Sequence, residues 1–515
     1  MTTTNVSQRT NQECSPTRLR ELLRRSLDLE FGSDPKSDFD ITDICCDSRQ
    51  VKPGALFVAV TGTSVDGASF ASDAARRGAV AIVADRELGQ PLTIPVVKVP
   101  NARDAVSRLA AVFFGLDVIQ AKGELTVIGI TGTNGKSTTA YMLREILRFA
   151  GRPTAMLGTI EYDLLAEKLT AQLTTPDPVT LVRHLVQAHE AGARFAVMEV
   201  SSHSLDQRRV AGITFSTAIF TNLTQDHLDY HGTFEDYSRA KRRLFDGLSS
   251  RAVAVVNADE AATDSILKNC AARVIRYGMA PLSDVRAHLV SETKAGSRFI
   301  LNYEDRRTEM ETALVGRHNI SNALAAVAAA LELGLGLDTI RQGLAELSDV
   351  PGRLQRVDTG GLGFDVFVDY AHTDDALRNV LRALRPLTSG KLLCVFGCGG
   401  DRDRTKRPLM ARAVADGADA FVMTSDNPRT EDPMAIITDI ENGLTSESRQ
   451  RGVTEVDRRK AITRAIERVA PGDTLLIAGK GHEDYQILGN EKVHFDDVEI
   501  ASGVIEKMRG IRKES

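Results

Sequence analysis

The sequence has no excess of charge of either sign: 64 Lys and Arg stand against 69 Asp and Glu in 515 residues. That near-balance excludes the basic field through which nucleic acid is held by counterion release, so small-molecule substrates are expected and no nucleic acid. Cysteine is scarce. The six (Cys14, Cys45, Cys46, Cys270, Cys394 and Cys398) lie in a long chain whose start, residues 1–12, is polar and Thr-rich and offers no apolar signal segment. They read as reduced thiols of a cytoplasmic protein. Cys394 and Cys398 have no second Cys or His pair at metal spacing, which argues against zinc. Long apolar runs are missing too, and no membrane span is expected. Internal repeats and low-complexity tracts are absent, and only the polar, charged termini have the composition of disorder.

What is present is length and a regular alternation. A chain of 515 residues exceeds what one hydrophobic core usually serves and suggests about three domains. Residues 1–122 hold Ala55-Leu-Phe-Val-Ala-Val60 and Ala79-Val-Ala-Ile-Val-Ala84 as buried strand candidates, and read as a small α/β domain. In residues 123–349, apolar runs at 195–200, 218–223 and 253–257 alternate with helical patterns such as 137–149. A largely parallel sheet covered by helices on both faces is predicted there. An Ala/Leu-rich helix over 320–333 precedes Val350-Pro-Gly-Arg353, a hinge candidate that sets the second boundary. Residues 350–515 repeat the alternation at 364–369, 392–396, 420–424 and 474–478, the pattern of a Rossmann-like domain.

Leu125-Thr-Val-Ile-Gly-Ile-Thr131 runs as an apolar strand into Gly132-Thr133-Asn134-Gly135-Lys136-Ser137-Thr138 and then into a helical pattern. Chains build a triphosphate cradle this way. Glycines let backbone N–H groups turn onto phosphate oxygens, the helix start adds its positive end, Lys136 supplies a charge, and the Ser137 hydroxyl can ligate magnesium. Only two residues separate the glycines, where the ordinary Walker pattern has four. The short loop points away from common kinases and GTPases and toward a narrower set of ATP-using ligases.

Several strands of the same region end in polar residues that would meet at the carboxyl edge of the sheet. Glu199 closes one, and Asp226 and His227 follow another; a carboxylate and an imidazole could complete magnesium coordination with Ser137. A loop-capping His227 stands equally beside that reading. In Phe234-Glu-Asp-Tyr-Ser-Arg-Ala-Lys241-Arg-Arg-Leu-Phe-Asp-Gly-Leu248, helical spacing puts Phe234, Tyr237, Lys241, Leu244 and Leu248 on one face. A lysine buried in such a stripe would have its amine made neutral by desolvation and able to react with carbon dioxide, giving an anionic oxygen donor. A snorkelling lysine remains the alternative.

Further clusters suit anions or amines. His318-Asn319-Ile-Ser-Asn322 opens the Ala-rich helix, Asp369-Tyr-Ala-His372 closes a strand, and Gly397-Cys-Gly-Gly-Asp-Arg402-Asp-Arg404 is a glycine loop with cations. Asp426-Asn427-Pro428-Arg429 sets a guanidinium, able to grip a carboxylate through two hydrogen bonds, on a proline-fixed turn. Gly479-Lys-Gly-His-Glu483 offers a carboxylate for an ammonium. Each alone could be an ordinary polar turn; their joint position after strands favours a site.

Together with Asp47-Ser48-Arg49, Thr174-Thr175-Pro-Asp177, Met198-Glu-Val-Ser-Ser-His203 and Asp226-His-Leu-Asp-Tyr-His231, these motifs make the chain resemble the Mur ligases over about residues 47–497. The resemblance implies an α/β, three-domain architecture, a central parallel-sheet P-loop ATPase domain and a C-terminal Rossmann-like domain. It implies an ATP- and Mg²⁺-dependent amide ligase of cytoplasmic peptidoglycan synthesis, joining meso-2,6-diaminopimelate to UDP-N-acetylmuramoyl-L-alanyl-D-glutamate through an acyl phosphate, and a monomer. Ser48, Thr63, Ser64, Val65, Asp66, Thr174, Thr175, Ser201, Gln207 and Arg209 then correspond to the residues that hold the UDP-sugar dipeptide. The loop Thr61-Gly-Thr-Ser-Val-Asp-Gly67 departs from the family in its middle residues, which leaves open whether backbone alone contacts the uridine. The family's carbamylated lysine falls on Lys241, its other metal ligands on Ser137, Glu199 and His227, and its catalytic residues on Lys136, Lys241 and His227. ATP would also touch Asn319, Arg353 and Asp369. The incoming amino acid would meet Arg402, Asp426, Asn427, Pro428, Arg429, Gly479 and Glu483, and Arg429 favours diaminopimelate over lysine through the second carboxylate. L-Lysine as the added amino acid, a folylpolyglutamate synthase-like ligase and a silent nucleotide-binding scaffold are the competing readings.

Overall fold

The computed structural model describes residues 17–32, 38–62 and 65–514. The chain groups into two compact units, residues 1–129 with 152–216, and residues 130–151 with 217–515. Among the described residues no helix is long and apolar enough to cross a membrane.

The first unit contains a four-stranded parallel sheet, Asp43–Cys45, Ala55–Ala59, Ala81–Ala84 and Val96–Lys98, in that order. Its central strands are buried on both faces, which is why they read as continuous apolar runs. Leu56, Val58 and Val83 pack with Leu22, Leu23 and Leu109 from helices Leu19–Leu27 and Ala102–Phe113, while Phe57 and Ile82 face Ala71 and Ala74. The same unit pairs strands Thr154–Leu157 and Phe195–Glu199 in parallel. Helix Pro178–Glu190 begins where Asp177 accepts from the amides of Val179 and Thr180, with proline in the first turn.

In the second unit, strands Thr217–Phe220, Val253–Asn257 and Arg273–Gly278 run parallel, and Val285–Thr293, Gly296–Tyr303 and Arg306–Thr312 extend them as an antiparallel meander. The core of the sheet is parallel, as expected, and the meander adds an antiparallel edge that the sequence reading did not include. Helix Arg317–Glu332 starts three residues before the predicted position and packs its buried alanines against helix Lys136–Phe149. Small side chains let the two backbones approach.

Residues beyond 350 form a six-stranded sheet in the order Gln355–Val357, Asp365–Asp369, Thr474–Ala478, Leu392–Phe396, Ala420–Met423, Gly452–Thr454, antiparallel only at its first pair. Val366 and Val368 face one apolar layer and Phe367 the other, as a strand covered on both sides requires. The loops after residues 369, 396, 423 and 478 therefore leave one carboxyl edge. Open α/β sheets bind ligands there.

Candidate active site

The short glycine loop is fixed from outside. Asn134 N–H donates to Asn222 Oδ1 at 2.9 Å, and Thr221 Oγ1 and Asn222 Nδ2 donate to Asn134 O at 2.6 and 3.0 Å. Thr133 Oγ1 lies 3.0 Å from Tyr237 Oη. Gly132 and Gly135 have φ of +151° and +87°, and a Cβ there would fall 1.8 Å from Thr221 Oγ1 and 2.3 Å from Asn322 Oδ1. Only glycine fits either place. Helix Lys136–Phe149 starts at Gly135 without a capping side chain, so its first N–H groups are suited to an anion, as a phosphate loop requires. Lys136 Nζ folds back to the carbonyls of Gly132 and Thr133, each at 2.8 Å. Ser137 and Thr138 are buried beside it, and Ser137 Oγ accepts from Arg353 Nη2 at 3.0 Å.

A second lysine amine reaches the same loop. On helix Phe234–Asp246, capped by Thr233, the buried face holds Tyr237, Lys241 and Leu244, with Leu248 buried just beyond the end. Phe234 departs from the expected stripe: it is 39 % exposed at the first helical position. Lys241 is 1 % exposed and therefore does not snorkel. Its Nζ donates to Gly132 O at 2.8 Å and lies 4.3 Å from the Tyr237 ring centre. Burial first, and the neighbouring Lys136 second, push its amine far below the usual lysine range against the pull of Asp226. His227 takes left-handed backbone (φ +54°) at the start of the short helix Leu228–His231 and makes no side-chain capping bond there; its Nε2 is 3.4 Å from Asp226 Oδ2. Burial opposes ionisation of Asp226, yet His227, His372 and Lys406 outweigh it and hold the carboxyl down at about 2.

In the first unit, the residues expected at the sugar-dipeptide lie together. Thr174 Oγ1 is 3.0 Å from Thr159 Oγ1, Thr175 Oγ1 donates to Glu199 O at 2.8 Å, and Ser201 N–H donates to Thr175 Oγ1 at 3.1 Å. Arg209 joins Thr175 O at 2.7 Å to Gln207 Oε1 at 3.0 Å. Glu199, buried, accepts from Thr159 N–H at 2.8 Å and from its hydroxyl at 3.0 Å. Ser48 is buried at the start of a turn capped by Asp47. Of the loop expected at the uridine, Thr63 and Ser64 lie outside the described residues; Val65 is 54 % exposed, and Asp66 accepts from Ala68 N–H at 3.1 Å and pairs with Arg86.

At the carboxyl edge of the last sheet, Asp369 accepts from the amides of Leu354 and Ala371 at 2.6 and 2.7 Å; burial raises its carboxyl despite Arg353. Asn319 is buried with its amide nitrogen on Val315 O and its oxygen accepting from Asn322. The two arginine loops clamp each other: Gly400 N–H donates to Asn427 O at 2.9 Å, and Arg429 Nη1 to Gly400 O at 2.8 Å. Arg429, after Pro428, holds φ of +53°. Burial, then the nearby Arg402, depress its guanidinium below the ordinary arginine range, and among the described residues neither arginine forms an ion pair. This leaves two cations able to receive an anion. Asp426 Oδ2 sits 2.7 Å from where a Cβ of Gly479 (φ +117°) would be, so that glycine is required. Asn427 Nδ2 donates to Glu483 Oε2 at 2.9 Å.

Residues that the sequence reading gave no role also build the site. Thr221, Asn222 and Tyr237 hold the loop, and Asp375 Oδ2 accepts from Asn134 Nδ2 at 3.0 Å. The polar Thr221-Asn222 pair directly after an apolar strand was the available signal; Asp375 carried none.

The Mur ligase family catalytic domain matches residues 40–114, the Mur ligase middle domain 130–330, and the Mur ligase glutamate ligase domain 352–481. The UDP-N-acetylmuramoyl-L-alanyl-D-glutamate–2,6-diaminopimelate ligase of Geobacillus thermodenitrificans is 45 % identical over 476 residues, 91 % of this chain and 96 % of its own length. The ligase of the same name from Gloeobacter violaceus is 44 % identical over 505 residues, 96 % of this chain and 99 % of its own. A solved structure of a UDP-N-acetylmuramoyl-L-alanyl-D-glutamate–2,6-diaminopimelate ligase superposes with a TM-score of 0.68 at 35 % identity, covering 96 % of this chain and 99 % of that one. Identity of this extent over nearly the whole length, on an α/β fold with the short glycine loop intact, means that the chain belongs to the Mur ligase family.

Proposed function

We propose that the protein is an ATP-dependent amide ligase that adds meso-2,6-diaminopimelate to UDP-N-acetylmuramoyl-L-alanyl-D-glutamate in cytoplasmic peptidoglycan precursor synthesis. Residues 1–122 would bind the UDP moiety, 123–349 ATP, and 350–515 the incoming amino acid. The observation that carries the reading is the convergence of Lys136 and Lys241 on the Gly132 carbonyl, each at 2.8 Å, within a glycine loop that opens a helix. That arrangement suits a triphosphate and a carbamate-bearing lysine better than any structural role, because a buried lysine amine beside the Lys136 ammonium is disfavoured as a cation and is left poised to become the anionic carbamate.

The free D-glutamyl carboxylate attacks the γ-phosphorus of ATP. An O–P bond forms, the bond to the bridging oxygen breaks, and ADP leaves behind an acyl phosphate. Lys136 and the loop N–H groups offset the charge that develops. Magnesium would be held by Ser137, His227 and carbamylated Lys241, where it would add to the neutralisation of phosphate charge. The diaminopimelate amine then attacks the acyl carbon, phosphate departs with the C–O bond, and the nitrogen loses a proton. Glu483 receives the ammonium of the incoming amino acid, and Arg402 and Arg429 its carboxylates.

The choice of amino acid tests the reading. Phosphate release from ATP with the UDP-sugar dipeptide is expected with diaminopimelate and at most weakly with lysine. Arg429→Ala should lower kcat/KM for diaminopimelate by about ten- to a hundred-fold, the worth of a charged hydrogen-bonded contact. Release with lysine alone, or an Arg429→Ala enzyme with undiminished preference, would overturn it.

A further inference from the structure

Behind the two loops that carry Asn427 and Glu483 lies an ammonium group with no access to water. Lys480 follows strand Thr474–Ala478 and is 0 % exposed. Its Nζ donates to Glu483 Oε2 at 3.2 Å and to Asn427 Oδ1 at 3.3 Å, and lies 5.4 Å from the centre of the Tyr485 ring. Asn427 Nδ2 donates to the same Glu483 Oε2 at 2.9 Å. Two donors thus meet on one carboxylate oxygen. Among the described residues no hydrogen bond reaches the other, Oε1.

Enclosing a lysine so completely is costly unless every partner is in place, and an apolar side chain of similar volume would serve packing at least as well. The arrangement has a purpose that packing does not supply. Glu483 Oε2 is tied down from two sides, so the carboxylate plane is set and Oε1 is left to accept from a ligand. Asn427 is fixed by the same lysine, and its Oδ1 also accepts from Ile487 N–H at 3.0 Å, so the turn cannot swing away from Glu483.

We propose that Lys480 is a positioning residue for amino-acid recognition: it locks Glu483 and Asn427 together so that Glu483 Oε1 meets the ammonium of the incoming amino acid. The inference rests on the reading in which Glu483 receives that group. Charge supports it independently of the hydrogen bonds. Burial, and next Asp426, raise the Glu483 carboxyl, and Lys480 is the foremost group drawing it back down. The same ammonium leads the cations that keep Asp426 ionised against its burial, with Arg458 second. Without Lys480, two carboxylates would face each other across the turn.

Steady-state kinetics of the full-length protein test this. Lys480→Met should raise KM for diaminopimelate about ten-fold or more, the value of one charged hydrogen bond, while KM for ATP stays within about two-fold. The acid limb of the pH profile of kcat/KM for diaminopimelate should move to higher pH, because Glu483 loses its cation and takes up a proton earlier. Adding Glu483→Gln to Lys480→Met should cause little further loss. Lys480→Gln, which keeps a donor and removes the charge, is the second variant, expected to move the acid limb with a smaller change in KM. An unmoved acid limb in whichever variant folds, or fully additive losses in the double variant, would overturn the role of Lys480. A wild-type protein that forms no product with diaminopimelate would instead overturn the proposed function.

Discussion

Burial of ammonium groups sets the chemistry of single residues here, and Lys241 is the sharpest case. As a cation it would share the Gly132 carbonyl with Lys136 at mutual electrostatic cost; as a carbamate it would attract Lys136 instead. Because burial pushes its amine well below the usual lysine range, the neutral, reactive form is more populated than in an exposed lysine, and the carbamate should form more readily as pH rises. We expect protein stripped of carbon dioxide to lose ligase activity and to regain it on adding bicarbonate. Carbon-13 bicarbonate should give a carbamate resonance that disappears in Lys241→Ala, whose activity should fall on the order of a hundred-fold. Retention of full activity by Lys241→Arg would count against a carbamate. This lysine was legible in the sequence because Tyr237, Lys241, Leu244 and Leu248 repeat at helical spacing. Lys480 was not, because its burial comes from a turn 53 residues away and its immediate neighbours are glycines.

Among elements, the strand-loop-helix around residue 132 was legible because an apolar run, two glycines and a helical stripe follow within 25 residues of one another. The meander from Val285 to Thr312 was missed for a physical reason: Val285 and Ala287, Phe299 and Leu301, and Met310 are the few buried apolar positions among charged ones. So thin a period-two signal does not stand out from loop. Helix Arg317–Glu332 illustrates what a helix start does to a neighbour. His318 sits in its first turn against Gly316, and burial pulls its imidazole down from 6.5 to about 4, in the direction that the positive end of a helix also favours. The folded state therefore binds a proton less well than the unfolded chain. Stability from this group is complete above pH 6.5 and declines as pH falls from there toward 4, with a slope of up to about 1.4 kcal/mol per pH unit. Urea midpoints measured at intervals across that window should fall with pH, and His318→Gln should flatten the dependence. Equal slopes in the two proteins would show that another group titrates.

The second unit, taken as a whole, unites segments that the sequence assigns to different domains. The hinge at 350–353 could be read locally, from proline and glycine; the contacts across it could not, since their partners lie far apart in the chain. Arg353 reaches Ser137 at 3.0 Å, Asp375 takes Asn134 Nδ2 at 3.0 Å, and Lys294 pairs with Asp365 at 2.6 Å. Two of these three contacts end on the glycine loop and helix start at residues 132–138. Whatever fills the loop must therefore compete with Arg353 for the Ser137 hydroxyl and rearrange the side chain of Asn134, so that the triphosphate should be sensed by residues 353–375 as well as by 132–138. Hydrogen exchange measured with a non-hydrolysable ATP analogue and magnesium, before either other substrate is added, should change in both segments. In Asp375→Ala the response of 132–138 should persist while that of 353–375 shrinks, because one of the two connections is cut and the loop itself remains held by Thr221 and Asn222. A wild-type response confined to the loop would mean that Arg353 and Asp375 merely pack against it. A response in both segments would make the filling of the phosphate loop the event that prepares the amino-acid site, which is the order of events that an easily hydrolysed acyl phosphate demands.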